Sequence, residues 1–244
     1  MHRIVSLVPS QTELLFYLGV GPQVVGRTKF CIYPADLVGH VPVVGGTKNV
    51  DIERVAVLKP TLILANREEN TRADVEALQA IAPVHLTDVT TLPDALAMIR
   101  DVGRLVKKVA GAEVLINQIS QSVGALPTPE KRPSVAYLIW RKPWMVAAAG
   151  TFIDAMLGVA GFTNVFSDKT RYPIITQSDC QLVRPDWVFL SSEPYPFKQK
   201  HIAELQQVWP TAQIRLVDGE LFSWYGSRLV QSATYFRQLQ NETR

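Results

Sequence analysis

Two stretches of the chain, more than a hundred residues apart, carry the same short pattern. Asp51 to Glu69 reads DIERVAVLKPTLILANREE, and Asp179 to Glu193 reads DCQLVRPDWVFLSSE. Each copy has a polar helix start, a basic residue and proline as a stop (Lys59-Pro60; Arg184-Pro185), an apolar strand and then an acid. The step from proline to acid is the same in both, Pro60 to Glu68 and Pro185 to Glu193. Repeats at so long an interval predict two similar lobes, because stacked solenoid repeats recur at about 20–50 residues. Two lobes with matched acidic loops imply a cleft between them and a two-point docking surface outside it, which is the logic of a solute receptor.

A chain of 244 residues is long enough for one large domain or two smaller ones. With 47% apolar and 19% charged residues it can fill a packed core, and nothing in it suggests disorder. The net charge of +3 is small and the basic residues are scattered, which argues against nucleic acid as a partner. No apolar run approaches the roughly 18 residues of a membrane-spanning helix. The opening MHRIVSLVPS leads directly into an apolar strand, with no small-residue cleavage site after a separate apolar region. The expectation is either residence in the cytoplasm or an export segment already removed. Cys31 and Cys180 fall in opposite halves, lack metal-type spacing and read as two free thiols.

Ile4 to Val8 is a continuous apolar run bounded by Pro9, the pattern of a buried parallel strand, and Ser10 is expected to cap the helix that follows. Val24–Arg27, Thr61–Ala65 and Val84–Leu86 read as further strands, with helices near 51–58 and 71–80 between them. This alternation predicts a parallel α/β lobe over residues 1–91. Residues 92–125 show helical apolar periodicity, so they read as one connecting backbone helix of about 45 Å at about 1.5 Å per residue, with a weak point near Gly111. After the proline-rich LPTPEKRP the pattern restarts as a second α/β lobe over residues 126–244. Its strands are expected at 135–140, 187–190 and 214–217, and its helices at 152–159, 201–208 and 227–240.

Taken together, VSLVPSQTELLFYLGV, VVGGTKNVDIERVAVLKPTLILANREEN, AGTFIDAMLGVAGFTNVF and VDGELFSWYGSRL resemble the helical-backbone (class III) solute-binding proteins of ABC importers. The similarity is greatest to the group that includes vitamin B12-binding and iron-chelate receptors, and it covers almost the whole chain in order. It implies two Rossmann-like lobes with parallel sheets, one rigid joining helix, a ligand in the interlobe cleft, and a monomer that catalyses nothing and needs no catalytic cofactor. The implied ligand is a corrinoid, haem or iron-siderophore type of metal chelate, and the implied partner is a membrane permease. Carboxylates after a strand end make charge-assisted bonds to arginine. In the family such acids meet permease arginines, a role that falls by position on Glu68 or Glu69 and on Glu193; alternatively these are ordinary solvated loop acids. The family is exported, so the resemblance implies the periplasm or cell envelope.

Open α/β sheets bind ligands at the carboxyl ends of their strands. In the first lobe those loops carry Ser10, Cys31, Tyr33 and Asn66. In the second they carry Trp144, Arg171, Tyr172, Tyr195, Trp224, Tyr225 and Arg228. Trp144, Tyr172 and Trp224 suit stacking on a flat, partly apolar ligand, and Arg171 or Arg228 suits a carboxylate, phosphate or anionic chelator. The other reading is that several of these rings close the lobe over its own sheet. Cys31, in a loop expected to face the cleft, is a candidate thiolate ligand without an evident partner. The scattered histidines show no metal-ligand spacing. The alternative from another class is a cytoplasmic two-lobed tetrapyrrole chelatase or metal-binding protein, which needs an inward-facing histidine and glutamate beside a planar ring.

Overall fold

Four of the apolar runs form one parallel sheet: β1 (Ile4–Ser6), β2 (Val24–Arg27), β3 (Leu62–Asn66) and β4 (Val84–Thr87), in the order β2-β1-β3-β4. The computed structural model describes residues 2–242. Parallel neighbours require crossover segments, supplied here by the helices Pro9–Tyr17, Ile52–Val57 and Arg72–Gln79. All five residues of β3 are buried, as a strand covered on both faces must be. Val5, Leu7, Ile63, Val55 and Leu78 lie in one core cluster.

The second sheet is mixed. It consists of β5 (Ser134–Trp140), β6 (Met145–Val146), β7 (Thr163–Asn164), β8 (Trp187–Ser191) and β9 (Gln213–Val217). The order β6-β5-β8-β9 is parallel except for antiparallel β6, and β7 pairs in parallel with β5. The two-residue strands β6 and β7 are too short to leave a periodic signal in sequence. Leu138, Val188, Leu190, Leu205 and Trp209 share its core cluster. Trp209 is buried there with its indole N–H donated to the Cys180 carbonyl at 3.0 Å.

The first unit comprises residues up to Val89, Pro93–Gln118 and Trp224–Arg228; the second comprises Thr90–Leu92, Ile119–Ser223 and the residues from Leu229 onward. Two sequence expectations change here. The stretch read as one helix over 92–125 is two helices, Leu92–Leu105 and Val109–Gly124. The chain turns at Lys107, whose φ of 58° lies in the left-handed region, and the Lys108 N–H bonds back to the Gly103 carbonyl. Gly103 makes the turn compact, since a Cβ there would lie 2.4 Å from the Ala112 Cβ. Arg100 and Glu113 then clasp the two helices with a bidentate pair at 2.6 and 3.1 Å. The second of these helices carries the chain from the first unit into the second. The other change is at Trp224–Arg228, expected in the second lobe and found in the first unit.

Candidate functional site

In the first unit the site begins at the turn before helix Pro9–Tyr17. Val8, not Ser10, occupies the cap position, and Pro9 is the first helical residue. Proline fits there because the N–H it lacks would have no intrahelical acceptor. Ser10 is therefore inside the first turn and buried. Its carbonyl would lie 3.0 Å from a Cβ on Gly226, whose φ is 155°, so glycine lets the Trp224–Arg228 segment close on this helix.

One turn further on, Glu13 accepts two hydrogen bonds from Arg228, Nε at 3.1 Å and Nη2 at 2.8 Å. The guanidinium carbon lies 4.2 Å from the Tyr33 ring centre and 4.8 Å from that of Trp224. Those rings meet edge to face at 5.6 Å. Arg228 thus sits in an aromatic corner with its charge balanced by Glu13. Trp224 and Tyr225 are buried, whereas Tyr33 is half-buried, and its neighbours Phe30 and Ile32 are 49% and 47% exposed. An exposed apolar loop beside an aromatic and arginine cluster can take a partly apolar ring. Sequence reasoning missed Glu13, which reads as a helix-start polar residue, because its partner lies 215 positions away.

Cys31 does not face outward. It is fully buried, with Sγ 3.2 Å from Thr28 Oγ1 and 3.8 Å from the Ser6 carbonyl oxygen. Burial pushes its thiol pKa up despite hydrogen bonds from Thr12 and Thr28 and the charge of Arg27. Cys180, also buried and free, is pushed up to about 11 by burial and then by Asp179. A thiol so raised is not a thiolate near neutral pH, so the structure gives Cys31 a packing role instead of the ligand role its loop suggested.

Asn66, the last residue of β3, is also buried and makes internal bonds. Its Nδ2 donates to the Thr87 carbonyl and hydroxyl, both at 3.1 Å. Its Oδ1 accepts the backbone N–H of Glu68 at 2.8 Å and of Glu69 at 3.3 Å. It therefore shapes the acidic loop, where Glu68 and Glu69 are half-buried and Lys48 Nζ bonds the Glu68 carbonyl. Gln11 braces the same network by donating to Thr87 Oγ1 at 2.7 Å.

In the second unit Ser191 ends β8, and its Oγ accepts the Glu193 N–H at 3.3 Å. The Glu193 carboxylate accepts from Ser223 Oγ at 2.6 Å. Tyr137 Oη donates to Ser191 Oγ at 3.2 Å, and burial raises the Tyr137 pKa. Beyond Glu193, Tyr195 packs edge-on against Trp140 at 5.7 Å and Phe197 at 4.8 Å. Trp144 stacks flat on Phe197 at 6.1 Å, and Arg141 lies over its ring while pairing with Glu204 at 2.8 Å. His201 is buried beside them, with Nδ1 accepting the Lys198 N–H at 2.9 Å. Burial, then Arg141 and Lys200, lowers its pKa. Arg171 is exposed, donates to the Gly150 carbonyl at 2.9 Å and lies over half-buried Tyr172. Trp140, the last residue of β5, is 40% exposed. Among the described residues no three His, Cys, Asp or Glu side chains gather to hold a metal ion, and no helix is long and apolar enough to cross a membrane.

The model of the periplasmic binding protein family matches residues 4–213. A vitamin B12-binding protein of Pectobacterium atrosepticum is 25% identical over 245 residues, covering 95% of this chain and 86% of that one. An uncharacterized ABC transporter substrate-binding lipoprotein of Bacillus subtilis is 29% identical over 197 residues, covering 75% of this chain and 62% of that one. Among solved structures, the apo periplasmic haem-binding protein of Roseiflexus sp. RS-1 superposes with a TM-score of 0.86 at 22% identity, covering 99% of this chain and 98% of that one. The two α/β units, the helix that passes from one to the other and the family match agree: the chain belongs to the periplasmic binding protein family, as a helical-backbone solute-binding protein of the ABC-importer type that binds without catalysing.

Proposed function

We propose that this chain captures a metal chelate of the corrinoid, haem or iron-siderophore type and delivers it to a membrane permease. The observation that carries the reading is the first unit's half-buried Tyr33, set against Trp224 and Arg228 beside exposed Phe30 and Ile32. Rings at the rim of an apolar loop gain from covering a flat, partly apolar surface, and an arginine among them adds attraction to a π-system. The relatives named for vitamin B12 and haem support the same ligand class. In the second unit Trp144, Tyr195, Tyr172 and Arg171 are further candidate ligand contacts. Ser10, Cys31 and Asn66 support the fold around the site, and Tyr225 anchors the segment that carries Trp224.

Delivery is assigned to Glu68 or Glu69 in one unit and Glu193 in the other. Each of these loops is fixed at its base by a strand-end side chain, Asn66 or Ser191. A carboxylate on a fixed loop orients a docking arginine with little loss of conformational freedom. Equilibrium dialysis of the full chain against cyanocobalamin, haem and a ferric siderophore, each alone, tests the ligand class. Retention of one at micromolar concentration or below is expected; retention of none would contradict the reading.

A further inference from the structure

The proposed ligands share a coordinating core but differ in the charge of their rims. Haem carries carboxylates at its edge, whereas cobalamin carries mainly amides. An arginine is the natural partner for a carboxylate, and Arg228 stands in the aromatic corner of the proposed site. Yet its charge is already answered. Both Nε and Nη2 donate to Glu13, and the pair is largely withdrawn from water, with side chains 11% and 17% exposed. Opposite charges in contact and shielded from solvent interact far more strongly than exposed ones. Removing either partner alone leaves the other charge uncompensated. Tyr33 and Trp224 hold the guanidinium in this position.

We propose that Glu13 is a specificity-determining residue: by neutralising Arg228 in the Tyr33–Trp224 corner, it denies that arginine to a ligand's carboxylates and favours chelates whose rim carries amides or esters. The inference rests on the chelate reading above and deepens it. It concerns the contribution of Arg228, so the diagnostic quantity is how acid-to-neutral preference responds when Glu13 is changed.

Two ligand pairs isolate that preference: haem with its dimethyl ester, and cyanocobalamin with the monocarboxylic acid formed by hydrolysing one side-chain amide. Within each pair the ring is constant and only rim charge changes. Titration of the full chain and of Glu13→Gln should show the ratio of acid to neutral affinity rising about tenfold in the variant for whichever ring binds. A double variant, Glu13→Gln with Arg228→Met, removes both charges and should return the ratio to that of the unaltered chain. An unchanged ratio in Glu13→Gln overturns the proposal. So does a double variant that loses acid binding about tenfold relative to the unaltered chain, because Arg228 would then be serving the carboxylate despite Glu13. Should Glu13→Gln fail to fold, the double variant decides alone. Absence of binding by all four compounds would strike the corrinoid and haem classes from the chelate reading above, and the proposal would fall with them.

Discussion

Asn66 and Ser191 hold the same post in two different sheets. Each is the last residue of its strand, and each accepts the backbone N–H of the glutamate two positions on, Glu68 at 2.8 Å and Glu193 at 3.3 Å. Each is itself braced by a hydroxyl, Thr87 for Asn66 and Tyr137 for Ser191. The repeated sequence pattern is therefore repeated as hydrogen-bond geometry, with an acid presented from a loop whose base cannot easily turn.

Asn66→Ala removes the acceptor shared by two backbone N–H groups and a donor to Thr87 in a buried setting. The expected loss is about 2 kcal/mol, read from the shift in urea midpoint. A shift corresponding to less than about 0.5 kcal/mol would show that these bonds contribute nothing.

Glu193→Gln should leave chelate affinity unchanged and lower uptake by cells that depend on this protein for import. Ser223 can still donate to the amide oxygen, so the loop should keep its shape while losing its charge. A parallel fall in affinity and uptake would remove Glu193 from docking and place it in ligand capture.

Acid should weaken the fold above the range where carboxylates titrate. His201 is held below its ordinary value of 6.5 by burial and by Arg141 and Lys200, and His85 is lowered by burial. Between those folded values and 6.5 the unfolded chain binds more protons than the folded one, so stability rises with pH there. The contribution is complete above 6.5 and is lost as pH falls through the window below it. Urea midpoints should therefore drop between about pH 7.5 and about pH 5.5. His201→Asn, which can still accept the Lys198 N–H, should show a smaller drop. Identical slopes would contradict this role for His201.

The strands other than β6 and β7 were legible because each is a short apolar run between turn residues, and the repeat was legible because Pro60 to Glu68 and Pro185 to Glu193 keep one spacing. What escaped the sequence depends on contacts distant along the chain. Nothing local to Glu13 announces Arg228, and nothing local to Trp224–Arg228 says that this segment joins the first unit. The helix break at Lys107 was misplaced toward Gly111 because propensity weighs glycine against helix, whereas Gly103 serves here by admitting Ala112 at close range. Asn66 and Cys31 were expected at the ligand because strand-end loops often serve that role, but burial and internal hydrogen bonds give them to the scaffold.

The most direct test of the account is a tryptophan-fluorescence titration of the full chain and of Tyr33→Ala with the chelate that dialysis retains. Trp224 lies 5.6 Å from Tyr33, so a ligand on this face should quench it. The account predicts saturable quenching at micromolar concentration or below in the unaltered chain, and affinity weaker by about tenfold in a folded Tyr33→Ala, the scale of one lost aromatic contact. Equal affinity in the two proteins would contradict it and move the ligand away from Tyr33 and Trp224.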